Sequence, residues 1–294
     1  MTEAEPTAAE LFISSGPKSD WERKYKNSIH TFVISWLGKH ENAESIVKAV
    51  AQTSTWSSVI YSDPKIKVLP EFSCEAIRRP NDLFFGDKFR ACLESCDADI
   101  LLLIHADCDC DSWSEIPERC RRAIEENPDI GVWTPLIDFT DWGLDRTEIK
   151  KIPESSLSIV VQTDAVVFGL TRVVADRMRK ANLHKNVYGW GTDLMFNYYT
   201  YSLGKISVVD RSLLVRHPLG AKYSIEVATA QLYEFLKQLT SAEKAQSALL
   251  DAVVRLHDRI KEVGTKDPSA VAHAEWELAQ LRQRILGDER PVQE

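Results

Sequence analysis

Apolar residues in this chain fall into short runs separated by stretches of helical spacing, and the alternation starts near His30. Residues 31–36 (TFVISW) form an apolar run with β-branched members, which predicts a buried strand. A polar loop at 38–42 follows, and then Ala43, Ile46, Val47, Val50 and Ala51 recur at helical spacing. Residues 57–61 (SSVIY) predict a second strand, stopped by Ser62-Asp63-Pro64 because proline cannot continue a hydrogen-bonded ladder, and residues 65–69 predict a third. Phe89, Cys92, Leu93 and Cys96 mark a helix face. Residues 99–104 (DILLLI) have no polar face, the pattern of a central parallel strand buried on both sides.

A helix is predicted over 114–126, with Ser114 as N-cap and Pro117 in its first turn, followed by an extended run at 129–134. Residues 157–170 (LSIVVQTDAVVFGL) are strand-rich, and 171–180 spell a short helix. A glycine- and aromatic-rich loop at 187–193 opens a helix over 194–201, and strands are expected at 205–209 and 213–217. Strands alternating with helices predict an α/β fold: a three-layer sandwich around a mostly parallel central sheet. After Tyr223 the texture changes to long charged helices at 225–239, 242–263 and 268–286, with a turn at 264–267. In the last of these, Val271, Ala274, Leu278, Leu281 and Ile285 keep an apolar stripe. The expected organisation is a loose arm (1–28), an α/β domain (29–223) and a C-terminal helical extension (224–294), without internal repeats.

Composition narrows the function classes only a little. The 294 residues are 44% hydrophobic and 27% charged, with 12 Gly and 12 Pro, which excludes disordered and collagen-like chains. Thirty-six basic against 44 acidic residues leave a net charge of −8 and no basic cluster, so nucleic acid is not the expected partner. The most apolar stretch, Ile100 to Ile104, falls far short of the roughly 20 residues of a membrane span. The acidic start MTEAEPTAAE lacks the pattern of a secretory signal, so the expected location is cytoplasmic, free or peripheral at the inner membrane surface. Cysteines 74, 92, 96, 108, 110 and 120 accordingly read as reduced thiols.

The chemistry concentrates after the DILLLI strand. Ligands of open α/β sheets bind beyond the carboxyl ends of the strands, and there the chain reads His105-Ala106-Asp107-Cys108-Asp109-Cys110-Asp111. Three neighbouring aspartates repel one another unless solvent or a cation intervenes, and hard oxygen ligands favour Mg²⁺ or Mn²⁺ beside substrate phosphates. The plainer reading is a solvated acidic loop at a helix N-terminus. His105, Cys108, Cys110 and Cys120 have poor spacing for zinc, and no base is fixed beside either loop thiol for nucleophilic catalysis.

Three landmarks in order, the acidic loop after a buried strand, Gly189-Trp190-Gly191-Thr192-Asp193, and Arg216-His217-Pro218, resemble a GT-A glycosyltransferase, most of all the family 2 enzymes that use nucleotide-diphosphate sugars. The resemblance spans about residues 30–223. It implies that Ser35 and Trp36 after the first strand, with Asp63 after the second, hold the nucleotide base and ribose. It also implies that Asp107 and Asp109 match the D-x-D region, with His105 in the place of its first aspartate in one register. Asp107, Asp109 and His217 would then hold Mn²⁺ or Mg²⁺, and Arg216 and Lys222 would offset the diphosphate. Asp193 would be the base of an inverting transfer, since Thr192 stands where the usual glutamate would be. Trp190 and Gly191 would face the acceptor, a glycan, lipid or protein. The implied donor is a UDP- or GDP-sugar, and the helical extension is an expected homo-oligomer contact. A sugar-phosphate nucleotidyltransferase would begin with a Gly-rich basic loop, whereas residues 37–41 (LGKHE) hold one glycine. A binding module with eroded chemistry at His105 and Thr192 is the non-enzymatic alternative.

Overall fold

The computed structural model describes residues 27–36, 38–62, 71–80, 84–218 and 223–287. The predicted arm at 1–28 lies almost wholly, and the predicted strand at 65–69 entirely, outside them. The first strand, β1 (Ile29–Ser35), is buried throughout, and α1 (His40–Val50) lays Ala43, Ile46, Val47 and Val50 against it. There follow β2 (Trp56–Tyr61), β3 (Glu75–Arg78), α2 (Phe85–Ser95) and β4 (Ile100–His105), the last buried on both faces as its unbroken apolar run requires. Next come α3 (Ile116–Glu126), β5 (Ile130–Ile137), the short α4 (Leu144–Thr147), β6 (Glu148–Lys151) and β7 (Leu157–Val160). The α/β part closes with β8 (Val167–Thr171), α5 (Arg172–Arg179), α6 (Thr192–Ser202) and β9 (Ile206–Val215).

The nine strands form one sheet in the order β3-β2-β1-β4-β8-β5-β9-β7-β6. Only β7 and β8 run against the other seven, so the sheet is mostly parallel and its carboxyl ends gather at one edge. Helices α1 and α3 pack on one face, and α2, α5 and α6 on the other, completing three layers. The extension comprises α7 (Ile225–Leu236), α8 (Ser241–Val263) and α9 (Pro268–Leu286). Helix α8 lies along α6 and α4, tied by Tyr198 Oη donating to Asp251 at 2.7 Å and by a two-pronged Arg146–Asp258 pair at 2.7 Å. No helix among the described residues is long and apolar enough to cross a membrane.

Three local expectations change. Ser114 is not the cap of α3: it sits in a 3-10 turn, Trp113–Glu115, and Glu115 holds the N-cap position with proline just inside the helix. The strands expected at 205–209 and 213–217 are one strand, β9, whose register on β5 shifts between Pro135 and Leu136. That irregularity is where the polar residues between them are accommodated. The third described strand is β3, and with β6 it was missed, since four residues with one or two apolar positions carry no readable period.

Gly86 sets the distance between α2 and the loop before α6. Its N–H donates to Val187 O at 3.1 Å, and a Cβ built there would lie 1.8 Å from the Asn186 carbonyl oxygen. Gly86→Ala is expected to destabilise the fold by about 1–3 kcal/mol, because backbone rather than a movable side chain must give way. Thermal denaturation checks this, and an unchanged midpoint would show that the loop is free to retreat.

Candidate functional site

The acidic loop is held at the sheet edge by its backbone. Ala106 N–H donates to Ile34 O at 2.9 Å, His105 N–H to Val166 O at 3.1 Å, and Asp109 exchanges two hydrogen bonds with Arg216 at 2.9 and 2.8 Å. Asn42 of α1 donates to the carbonyls of Ala106 and Cys108 at 2.6 and 3.1 Å. The turn at Asp107 and Cys108 is therefore fastened to β1, α1 and the end of β9. Just beyond β9, His217 N–H donates to Asp138 Oδ1 at 2.8 Å, which aims its ring at the loop. His217 Nε2 lies 3.9 Å from Asp107 Oδ2, and ligand atoms of Asp107, Cys108 and His217 all fall within 4.8 Å of one another.

Carboxylate, thiol and imidazole so placed suit a divalent cation: two of the three are partly open to solvent and the thiol forms a buried floor. Asp109 is not in this trio. Its exposed carboxylate pairs with Arg216 at 3.3 Å, and Arg216 also pairs with Asp111 at 2.8 Å. Of the cations expected to face the diphosphate, Arg216 is thus engaged by two surface carboxylates, and Lys222 lies outside the described residues, as does Asp63.

Asp193 stands in the first turn of α6, which starts from Gly191 in the left-handed region (φ 79°). That conformation favours glycine, and a Cβ on Gly191 would also have to push aside the Leu232 Cδ1 methyl, 2.2 Å away. Trp142 Nε1 donates to Asp193 Oδ2 at 2.8 Å. Burial, with help from the nearby charge of Asp164, pushes the Asp193 carboxyl up to about 6. Asp164 is itself raised by burial, while Thr140 donates to it at 2.7 Å and the field of His217 acts the other way. Asp164 therefore lies within electrostatic reach of both His217 and Asp193. A small pocket of about 20 Å³ beside them is lined by residues that include Ile137, Thr140, Trp142, Leu144, Thr163 and Asp164, so it shares Trp142 and Asp164 with the surroundings of Asp193.

On the other side of the loop, Ser35 is fully buried, and its hydroxyl is hydrogen-bonded to His40 Nδ1 at 2.6 Å. Trp36 is partly open and meets the His105 ring edge-on at 5.5 Å, while Lys88 Nζ lies 5.1 Å from its ring centroid. Burial drives the His105 ring to about 4, so it is neutral, and its Nε2 is buried without a hydrogen-bond partner. Lys88, 1% exposed, is lowered by burial to about 8. Trp190 Nε1 donates to Tyr223 Oη at 2.8 Å, and Tyr223 stacks on Tyr188 at 4.6 Å, an aromatic group beside α6.

Residue-type reasoning set Cys108 aside for its poor zinc spacing and missed Asp138, Trp142, Asp164 and Lys88. Lys88 had a signal, because a lysine between Phe85 and Phe89 and four residues before Cys92 stands on the apolar side of its helix. Asp164 had a weaker one, as the sole acid within LSIVVQTDAVVFGL.

No family model matches the sequence, and no curated protein matches it. Solved structures do match. GalNAc-T7, determined with UDP, GalNAc and Mn²⁺, superposes with a TM-score of 0.58 at 9% identity over 89% of this chain. The chain spans 57% of the length of that protein. Residues 1–349 of S. aureus TarS, in complex with UDP-GlcNAc, superpose with a TM-score of 0.51 at 12% identity, covering 88% of this chain and 82% of that one. The fold is that of the GT-A nucleotide-diphospho-sugar transferases.

Proposed function

We propose that this chain is an inverting, family 2-like glycosyltransferase that moves a sugar from a nucleotide-diphosphate donor to an acceptor hydroxyl. The observation that carries the reading is the convergence at one sheet edge of a cation-suited trio and an aspartate with a raised carboxyl. Asp193 accepts the proton of the acceptor hydroxyl, held in orientation by Trp142, as general-base catalysis requires. The acceptor approaches beside Thr140 and Trp142, with Trp190 as an apolar platform at its side. The nucleotide lies along Trp36 and Asp63, with the buried Ser35 behind them and His105 beneath it, and Lys222 and Arg216 offset the diphosphate. Asp107 and His217 hold Mn²⁺ or Mg²⁺, with Asp109 in their outer surroundings. When bound, the cation stabilises the negative charge that collects on the departing nucleotide diphosphate. The catalytic unit is assigned to residues 29–223, and α8 of the extension braces α4 and α6.

The sugar and base are open to a direct screen. UDP- and GDP-sugars are added to the purified chain with and without Mn²⁺ while thermal stability is followed. One donor class at about a hundredfold excess over its Kd is expected to add about 2.7 kcal/mol, and only with the cation present. Mn²⁺-dependent release of free sugar from that donor would follow as slow hydrolysis. No shift with any nucleotide sugar under either condition rejects the proposal in favour of a binding module with another ligand.

A further inference from the structure

The trio contains one donor atom that neither the D-x-D pattern nor oxygen-loving Mg²⁺ chemistry calls for. Cys108 is 1% exposed, and its Sγ belongs to the same 4.8 Å group as a carboxylate oxygen of Asp107 and a ring nitrogen of His217. The thiol is held there by more than its own packing. Asn42 fixes the Cys108 carbonyl, and the two bonds between Asp109 and Arg216 fix the next residue. Asp107 and His217 keep about a quarter of their side-chain surface open, so a cation entering between them would come to rest on sulfur. A second buried donor without a partner, His105 Nε2, lies in the field of Asp107 and His217.

The other loop and neighbouring thiols are engaged elsewhere. Cys110 accepts from Ser112 N–H at 3.4 Å, and Cys120 is packed under Gly169, where a Cβ would lie 2.4 Å from its sulfur. The sequence spacing that speaks against a cysteine-rich zinc site thus does not bear on a site with one thiolate, completed by residues a hundred positions apart.

We infer that Cys108 is a direct ligand of the site cation, so that the site prefers a softer divalent ion, zinc above all, over Mg²⁺. Thiolate and imidazole select zinc, and one carboxylate completes the three protein ligands of a zinc site that keeps its fourth position open. On coordination the sulfur–metal bond forms and the thiol proton passes to solvent. The open position is the one a diphosphate oxygen would take. This inference rests on the cation site of the proposed function and adds to it the identity of one ligand and the order of metal preference.

Cobalt(II) is the probe, because a cobalt–thiolate bond gives a near-ultraviolet charge-transfer band that oxygen and nitrogen ligands do not. The full-length reduced chain titrated with Co²⁺ is expected to show the band at one equivalent, and calorimetry is expected to give Zn²⁺ at least about a hundredfold tighter than Mg²⁺. Cys108→Ser should abolish the band and weaken Zn²⁺ by at least about tenfold, no less than the loss of an outer-shell partner. Cys110→Ser should leave both unchanged. Where Cys108→Ser fails to fold by circular dichroism, Cys108→Ala, which also removes the sulfur, serves instead and should likewise remove the band. Co²⁺ that binds with no charge-transfer band, or a band that persists once the Cys108 sulfur is removed, overturns the thiol ligand while leaving the cation site standing. No divalent binding at all overturns both.

Discussion

Asp193→Asn is expected to lower sugar transfer by about 10²- to 10⁴-fold, the usual weight of a positioned general base, while donor binding stays within about twofold of wild type. Asparagine keeps the shape of the side chain and can still accept from Trp142 Nε1, 2.8 Å away in the wild type, but it cannot take a proton. The pH dependence follows from the carboxyl being raised to about 6 by burial and by Asp164. The base works only when ionised, so wild-type turnover should rise with pH through about 6 and level off above it. Stability runs the opposite way. A carboxyl that holds its proton more tightly when folded contributes stability below its unfolded value of 3.8, and loses that contribution as pH rises through about 6. Above pH 6 the folded state therefore carries a buried charge at a cost of about 1–3 kcal/mol, allowing for partial exposure. Asp193→Asn should be more stable than wild type at neutral pH, and the gain should vanish near pH 4. Equal loss of transfer and donor binding, or a variant less stable at pH 7, would place Asp193 in structure rather than catalysis.

The sheet was legible where burial is continuous. TFVISW and DILLLI announce β1 and β4 because both faces of those strands are covered and apolar residues dominate them. Edge strands are not legible in this way. The sequences of β3 (EAIR) and β6 (EIKK) are set by solvent on one side and pairing on the other, and the polar middle of β9 reads as a break until β5 is seen to shift beside it. The site divides similarly. Asp107, Asp193 and His217 stand at strand ends or helix starts, where position alone suggests chemistry. Asp164 does not, because its role comes from the antiparallel β8, which starts at the same edge as the ends of the parallel strands and brings the preceding residues into the site. Cys108 and Asp109 show the converse. Residue type favours the aspartate as a ligand, whereas the two backbone bonds to Arg216 turn its carboxylate to the surface and leave the cysteine facing inward.

That geometry ranks the acidic residues by effect. Asp107→Ala should weaken cation-dependent donor binding by at least about a hundredfold, since it removes a charged oxygen ligand from a set of three and leaves a cysteine and a histidine, 3.9 Å from the lost carboxylate, to hold the cation alone. His217→Ala should do much the same and also release Asp138 from its hydrogen-bonded place only in part, because the bond comes from the His217 backbone. Asp109→Ala should alter binding by no more than about fivefold. It breaks an exposed pair with Arg216, worth about 0–1 kcal/mol, and Asp111 remains to hold the guanidinium. Calorimetric titration of a nucleoside diphosphate with and without Mn²⁺ separates these cases, because the cation-independent part of binding should be shared by all three variants. Loss in Asp109→Ala as deep as in Asp107→Ala would mean that the loop turns over when the cation arrives and that the D-x-D register runs through both aspartates. Retention of full cation dependence in Asp107→Ala would remove the trio as the metal site altogether.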